Sequence, residues 1–122
     1  MGRYEVKTVR RGYRFNLLAG NGQIVGTGEI YSAKVSCLGG IESVRRNAPI
    51  APIADLCRES AERRIRCPRF EVYADRAGEY RFRLRARNGK IILVSEGYVR
   101  KEGCLNGIES VRRNADSKIE EV

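Results

Sequence analysis

In Arg81-Phe82-Arg83-Leu84-Arg85-Ala86-Arg87 every second residue is arginine. Residues two apart on an extended strand share a face at roughly 7 Å spacing, so the four guanidiniums would form a row while Phe82, Leu84 and Ala86 face the other way. Such a row offers paired N–H donors to phosphate or carboxylate, and its chemistry is non-covalent capture of an anionic partner, nucleic acid or an acidic protein. It also reads as a solvated sheet face whose arginine stems cover Ile92 and Val94 on the neighbouring strand. Arg112 and Arg113, at the end of a helical segment, complete the candidate anion-binding set. Cations there equally complement the negative end of the helix dipole.

Reactive chemistry is sparse. The chain has no histidine, which excludes imidazole acid–base catalysis, Ser-His and Cys-His pairs and imidazole-ligated metals. It has no paired-carboxylate motif, phosphate-cradling glycine loop or nucleophile elbow. Cys37 and Cys104 fall on apolar helix faces, and Cys57 and Cys67 belong to no CxxC pair, so all four read as reduced thiols. No catalytic, cofactor-binding or metal-ligating residue is assigned, and the chain reads as a non-enzyme.

Twenty-four Lys and Arg against fifteen Asp and Glu leave a net charge of +9, enough to attract polyanions at long range or simply to keep the protein soluble. The leading functional reading is therefore a binding module with a basic sheet face. The alternatives are a compact structural or stress-associated protein whose charge serves solubility, and an enzyme of unknown class. No apolar run suits a signal peptide or a membrane span, so a cytoplasmic location without membrane contact is expected.

The elements that position these residues come from a duplication. GIESVRRNA occurs at 40–48 and, unchanged, at 107–115, and YRFNLLAGNGQI aligns with YRFRLRARNGKI. Positions matching the arginine row in the first copy are Arg14, Asn16, Leu18 and Gly20, so the row belongs to one copy alone. Each copy reads as a short strand, a turn, and two strands joined by Asn21-Gly22 or Asn88-Gly89, for which a two-residue type I′ turn is expected. That register sets Arg14 across from Glu29 and Arg81 across from Glu96 as cross-strand ion pairs.

From Ser32 to Asn47 the period becomes helical, with Cys37, Leu38, Ile41 and Val44 on one face and Ser32 as the expected N-cap. Gly40 and Gly107 inside the helices imply close backbone packing. The identical helix ends, Arg45-Arg46-Asn47 and Arg112-Arg113-Asn114, suit either a packing contact around a pseudo-dyad or recent duplication. IAPIADL and the tail DSKIEEV have strand character, giving β-β-β-α-β twice. ESAERRI between the copies reads as a helical turn or two. Residues 1–122 are expected to form one domain, with repeat one at 4–56, a linker at 57–69 and repeat two at 70–122.

The segment FEVYADRAGEYRFRLRARNGKII, the SEGY that follows, the GIESVRRNA helix end and the degenerate copy ahead of them resemble the YegP-like family of small bacterial proteins, a family of unknown function. The resemblance implies an α+β fold of two tandem β3-α-β repeats that form one shared antiparallel sheet, with two helices packed on it and the C-terminal strands of the repeats swapped. IAPIADL would then pair beside the second meander and SKIEEV beside the first. One chain would supply both units, a monomer with internal pseudo-two-fold symmetry.

Overall fold

The computed structural model describes residues 2–58 and 63–122. The first copy contributes β1 (Arg3–Val9), β2 (Gly12–Leu18), β3 (Ile24–Thr27), α1 (Lys34–Asn47) and β4 (Ile53–Asp55). The second contributes β5 (Arg69–Ala74), β6 (Tyr80–Arg85), β7 (Ile91–Val94), α2 (Lys101–Asn114) and β8 (Lys118–Glu121). The helical turn expected in ESAERRI falls largely outside the described residues.

Among the described residues, eight strands form one sheet in the order β4-β5-β6-β7-β3-β2-β1-β8. The strand exchange is present: β4 pairs with β5, and β8 with β1. The sheet is antiparallel through its six inner strands, and both exchanged strands add in parallel. Parallel addition follows from the crossover, since each exchanged strand returns to the sheet through a helix rather than a hairpin. The two meanders join in the ladder where Thr27 faces Val94, with Leu93 packed over Gly26 beside it.

Period-two alternation puts Tyr4, Val6, Phe15 and Leu17, with Phe70, Val72, Phe82 and Leu84, on one face of the sheet, all buried. Cys37, Ile41 and Val44 of α1 and Cys104, Ile108 and Val111 of α2 close over them. Leu38 is only half-buried at the margin. Edge-to-face pairs Tyr4–Phe15 and Phe70–Phe82, at centroid distances of 5.9 and 6.1 Å, fill matching positions in the copies. Truncating any of these aromatics to alanine costs about 3–5 kcal/mol in a packed core.

Three local expectations change. The Asn-Gly loops are not type I′, because only glycine has positive φ, 86° at both Gly22 and Gly89. Each loop is a three-residue turn, closed by Gly22 N–H to Ala19 O at 2.9 Å and Gly89 N–H to Ala86 O at 2.8 Å. The residue this adds to the loop is absorbed as a bulge between Leu17 and Leu18, or Leu84 and Arg85. Ser32 does not cap α1: Ala33 occupies the N-cap position, without a side-chain bond, and Ser32 lies one residue too early.

The Arg14–Glu29 and Arg81–Glu96 ion pairs do not form. The ladder runs in the expected register to Asn16–Thr27 and Arg83–Val94. It then resumes one residue out of step at the Tyr13–Tyr31 and Tyr80–Tyr98 bridges, so both glutamates fall in the intervening irregularity. Those bridges place Tyr31 and Tyr98 against the helices. A Cβ at Gly40 would strike Tyr31 Oη, and one at Gly107 would lie 2.5 Å from Tyr98 Oη and 3.0 Å from Phe82 Cε2, which is the close packing the helical glycines imply.

The repeated helix ends have a packing role. Arg45 lies over the Tyr4 ring, 5.6 Å from its centroid, and Nη2 donates to Ser117 O of the other copy at 2.6 Å. Arg112 lies over Phe70 at 5.4 Å and donates to Ala51 O of the first copy at 2.6 Å. Tyr4 Oη donates to Ala115 O at 2.7 Å. Lys34 pairs with Glu121 and Lys101 with Asp55. Each exchanged segment is thus clasped by side chains of the copy that receives it.

Candidate anion-binding face

Both helices lie on the face that carries Phe15, Phe70 and Phe82, so among the described residues the opposite face of the sheet carries neither α1 nor α2. Alternation along β5 and β6 sends Arg69, Glu71 and Tyr73, with Arg81, Arg83 and Arg85, to that open face. The β5–β6 register sets Glu71 directly across from Arg83 and Tyr73 across from Arg81. Glu71 is 1% exposed. Arg83 Nε donates to its Oε1 at 2.5 Å, Arg69 Nε donates to its Oε2 at 2.7 Å, and Arg85 Nε lies 3.0 Å from Oε1.

Each guanidinium is also held elsewhere. Arg83 stacks on the Tyr73 ring at 4.5 Å, Arg85 Nη1 donates to Gly89 O at 2.8 Å, and Arg69 Nη1 donates to Arg63 O at 2.9 Å. Arg81 Nε donates to Asp75 Oδ2 at 2.7 Å, and Asp75 Oδ1 accepts from the N–H groups of Ala77 and Glu79 at 2.9 and 3.0 Å.

Burial alone would raise the Glu71 carboxyl, but the guanidiniums of Arg83, Arg85 and Arg69 outweigh it and hold the group below its ordinary range. Asp75 is lowered as well, first by the hydrogen bond from Arg81 and then by the two backbone donors. Both carboxylates stay ionised at neutral pH. Among the described residues four guanidiniums then face two carboxylates, a surplus of positive charge in side chains already held in place.

Not all of the proposed residues meet. Arg81, Arg83 and Arg85 share this face. Arg87 lies past the end of β6 and the bulge at Leu84–Arg85, exposed beside Arg46, Asn47 and Ile50. Arg112 is committed to Phe70, Ala51 O and Glu109 in the helix layer, on the other side of the sheet. Arg113 is exposed on α2. Val94 does lie across from Arg83, whereas Ile92 turns to the helix side beside Gly39 and Gly40. Arg69, Glu71 and Tyr73 were not singled out from the sequence, although the alternation in RFEVYA was visible. Among the described residues no group of three Cys, Asp or Glu gathers as metal ligands, and no helix is long and apolar enough to cross a membrane.

The comparisons with known proteins agree with the duplication. The family described as Domain of unknown function (DUF1508) matches residues 10–55 and again 75–121. The UPF0339 protein YegP of Yersinia pestis is 36% identical over 120 residues, covering 98% of this chain and 93% of that protein. The UPF0339 protein in the ptx operon 5′ region of Stutzerimonas stutzeri is 67% identical over 46 residues, a match spanning 38% of this chain and 41% of that relative. The solution structure of YegP from E. coli, described as a protein of unknown function, superposes with a TM-score of 0.78 at 31% identity, covering 98% of this chain and 91% of that one. With both copies matched and relatives aligned along nearly the whole length, the chain belongs to the YegP-like UPF0339 family.

Proposed function

We propose that this protein is a non-enzymatic binding module that receives a phosphate-bearing polymer on the open sheet face of its second copy. One observation carries the reading: a fully buried carboxylate gathers three guanidiniums on the face opposite α1 and α2, and among the described residues positive charge is left over there. Glu71 fixes the arginines, so little side-chain entropy is lost when a second anion arrives, and N–H groups not turned to Glu71 remain as donors. Among the described residues Tyr73 is the only aromatic ring within the patch and is already stacked by Arg83, so the face tracks a backbone rather than reading bases. One chain supplies both halves of the sheet, and the protein acts as a monomer.

The test is titration of labelled oligothymidylate and labelled polyphosphate at several salt concentrations. For single strands the log–log slope is about −0.7 per phosphate engaged, so three or four contacts give a slope of about −2 to −3. Arg81→Glu, which leaves Glu71 and its partners intact, is expected to weaken binding at least tenfold. Arg83→Lys should keep the long-range attraction and lose part of the affinity with the forked donor geometry. Arg87→Gln should leave binding unchanged. No binding at low salt, or equal binding by Arg81→Glu, would overturn the proposal in favour of charge that serves solubility, and an obligate dimer in sedimentation would overturn the monomer.

A further inference from the structure

On the helix side of the molecule, away from the open face, a groove runs between α1 and the end of the β6–β7 hairpin. It consists of two clefts of about 510 and 500 Å³ that share Ser43, Ala86 and Asn88. The floor is the small-residue side of α1, where Gly39 has nothing within 4 Å of a would-be Cβ and Gly40 lies under Tyr31. Ile30 and Ile92 flank one part, and Ile50, 60% exposed, flanks the other. Arg46 and Arg87 stand together at the second part, and neither has an ion-pair partner among the described residues.

We propose that this groove binds an extended segment of an acidic protein, seating an aliphatic side chain over Gly39–Gly40 and a carboxylate between Arg46 and Arg87. Charge complementarity selects this occupant. Two guanidiniums that line one cleft, without an ion-pair partner among the described residues, ask for an anion, and the isoleucines beside them ask for an apolar neighbour within a few residues of it.

The pseudo-symmetric position holds a smaller cleft, of about 390 Å³ beside Gln23, Gly97 and Tyr98, with a different lining. There Gly20 replaces Arg87, Gln23 replaces Lys90, Gly97 replaces Ile30, Ser117 replaces Ile50, and Asn106 stands in place of Gly39. The α2 end itself is unchanged, Arg113 matching Arg46. Ile30, Gly39, Ile50, Arg87 and Lys90 of the groove therefore differ between copies, while Gly40, Ser43 and Arg46 belong to the unchanged nonapeptide. This site lies on the opposite side of the sheet from Arg81, Arg83 and Arg85 and does not depend on the polymer-binding proposal.

The experiment is amide chemical-shift mapping on the full chain with three short peptides of one Leu-containing sequence: one with a free C-terminus, one C-terminally amidated, and one amidated with Asp after the Leu. Shifts confined to Gly39, Gly40, Ser43, Ala86 and Asn88 are expected for at least one carboxylate-bearing peptide and not for the neutral one. Which of the two binds identifies a terminal or a side-chain carboxylate as the anchor. Arg46→Ala combined with Arg87→Ala should weaken binding at least tenfold. Gly39→Asn, which the open space above Gly39 admits, should narrow the groove as in the second copy and weaken binding with the fold retained by circular dichroism. Arg81→Glu should leave peptide binding intact, which separates this site from the open face. No shifts at millimolar peptide, equal binding of the neutral peptide, or unchanged binding by the double alanine variant would overturn the proposal.

Discussion

The open faces of the two copies begin from the same strand pattern and end with different electrostatics. Glu5 and Glu71 occupy equivalent positions on β1 and β5, and each has an arginine two residues before it. In the first copy Arg3 Nε lies 3.0 Å from Glu5 and 3.7 Å from Glu120 of the exchanged strand, and the Glu5 side chain stays 19% exposed. Asn16 and Leu18 stand where the second copy has Arg83 and Arg85, and Asn16 Oδ1 accepts from Thr27 Oγ1 at 2.8 Å instead. Two positions on β6 therefore separate a solvated ion pair from a buried carboxylate with three guanidiniums. The scaffold tolerated this because the clasps that hold it, Arg45 and Arg112 with their aromatic rings and cross-copy carbonyls, are repeated unchanged.

The largest expected break in this comparison is at the two glutamates. Glu71→Gln leaves Arg69, Arg83 and Arg85 facing one another without a counter-charge. Breaking a buried pair costs 3–5 kcal/mol, and partial exposure of the arginines puts the expectation at about 3 kcal/mol. Glu5→Gln removes a partly exposed pair with one close arginine and should cost about 1 kcal/mol or less. Urea denaturation of the two variants measures the gap, and equal costs would show that the Glu71 cluster contributes no more than its counterpart.

The same cluster sets a pH dependence. Because the Glu71 carboxyl is lowered in the folded protein, its contribution is fully present above the unfolded value of about 4.3 and is lost as pH falls through the folded one. Stability measured from neutral pH downward should decline more steeply for the parent than for Glu71→Gln. Parallel acid profiles would contradict the assignment.

Next in size is a test of sameness. Arg45→Ala and Arg112→Ala each remove a ring contact and a charged hydrogen bond to the other copy, together worth about 2 kcal/mol. The two costs should agree closely. Hydrogen exchange should place the loosening of Arg112→Ala in β4 and β5 and that of Arg45→Ala in β8 and β1. Loosening confined to the ends of α1 and α2 would mean that the arginines cap helices and do not clasp strands.

How much of this could be read in the sequence depends on the range of the interaction. The alternation of Phe82, Leu84 and Ala86 with arginine needs only a strand, and the structure keeps those three inward. Arg87 left the row because the Asn-Gly turn took one residue more than a type I′ loop, and the bulge that absorbs it turns the chain beyond Arg85. Glu71 was not legible as the centre of the cluster, since its partners follow from the β5–β6 register, which is set by the turn from Asp75 to Gly78. The strand exchange came from family resemblance, because nothing local in IAPIADL or SKIEEV specifies which meander it joins. The missing Arg14–Glu29 and Arg81–Glu96 pairs teach the same lesson: a register counted from one turn holds only until the next irregularity, here the stretch before Tyr31 and Tyr98.

The smallest expected effect separates adjacent glycines of α1. Gly39 and Gly40 cost the helix equally by propensity, roughly 1 kcal/mol each relative to alanine, but their surroundings differ. A Cβ at Gly39 meets nothing within 4 Å, whereas one at Gly40 runs into the Tyr31 hydroxyl. Gly39→Ala is therefore expected to stabilise by about 0.5–1 kcal/mol, through fewer unfolded conformations and better helix propensity. Gly40→Ala should destabilise, because the rigid Tyr31 ring occupies the space, with Cζ 2.8 Å from the new Cβ, and while its main chain is held by two 2.7 Å bonds to Tyr13 the ring must swing out of its packing against α1. The second copy has already made the first exchange, with Asn106 in place of Gly39, and has kept Gly107 under Tyr98. If thermal unfolding of Gly39→Ala showed a loss, the open space above this turn of α1 would not be open in solution. The contrast between an open Gly39 in one copy and Asn106 in the other would then fail with it.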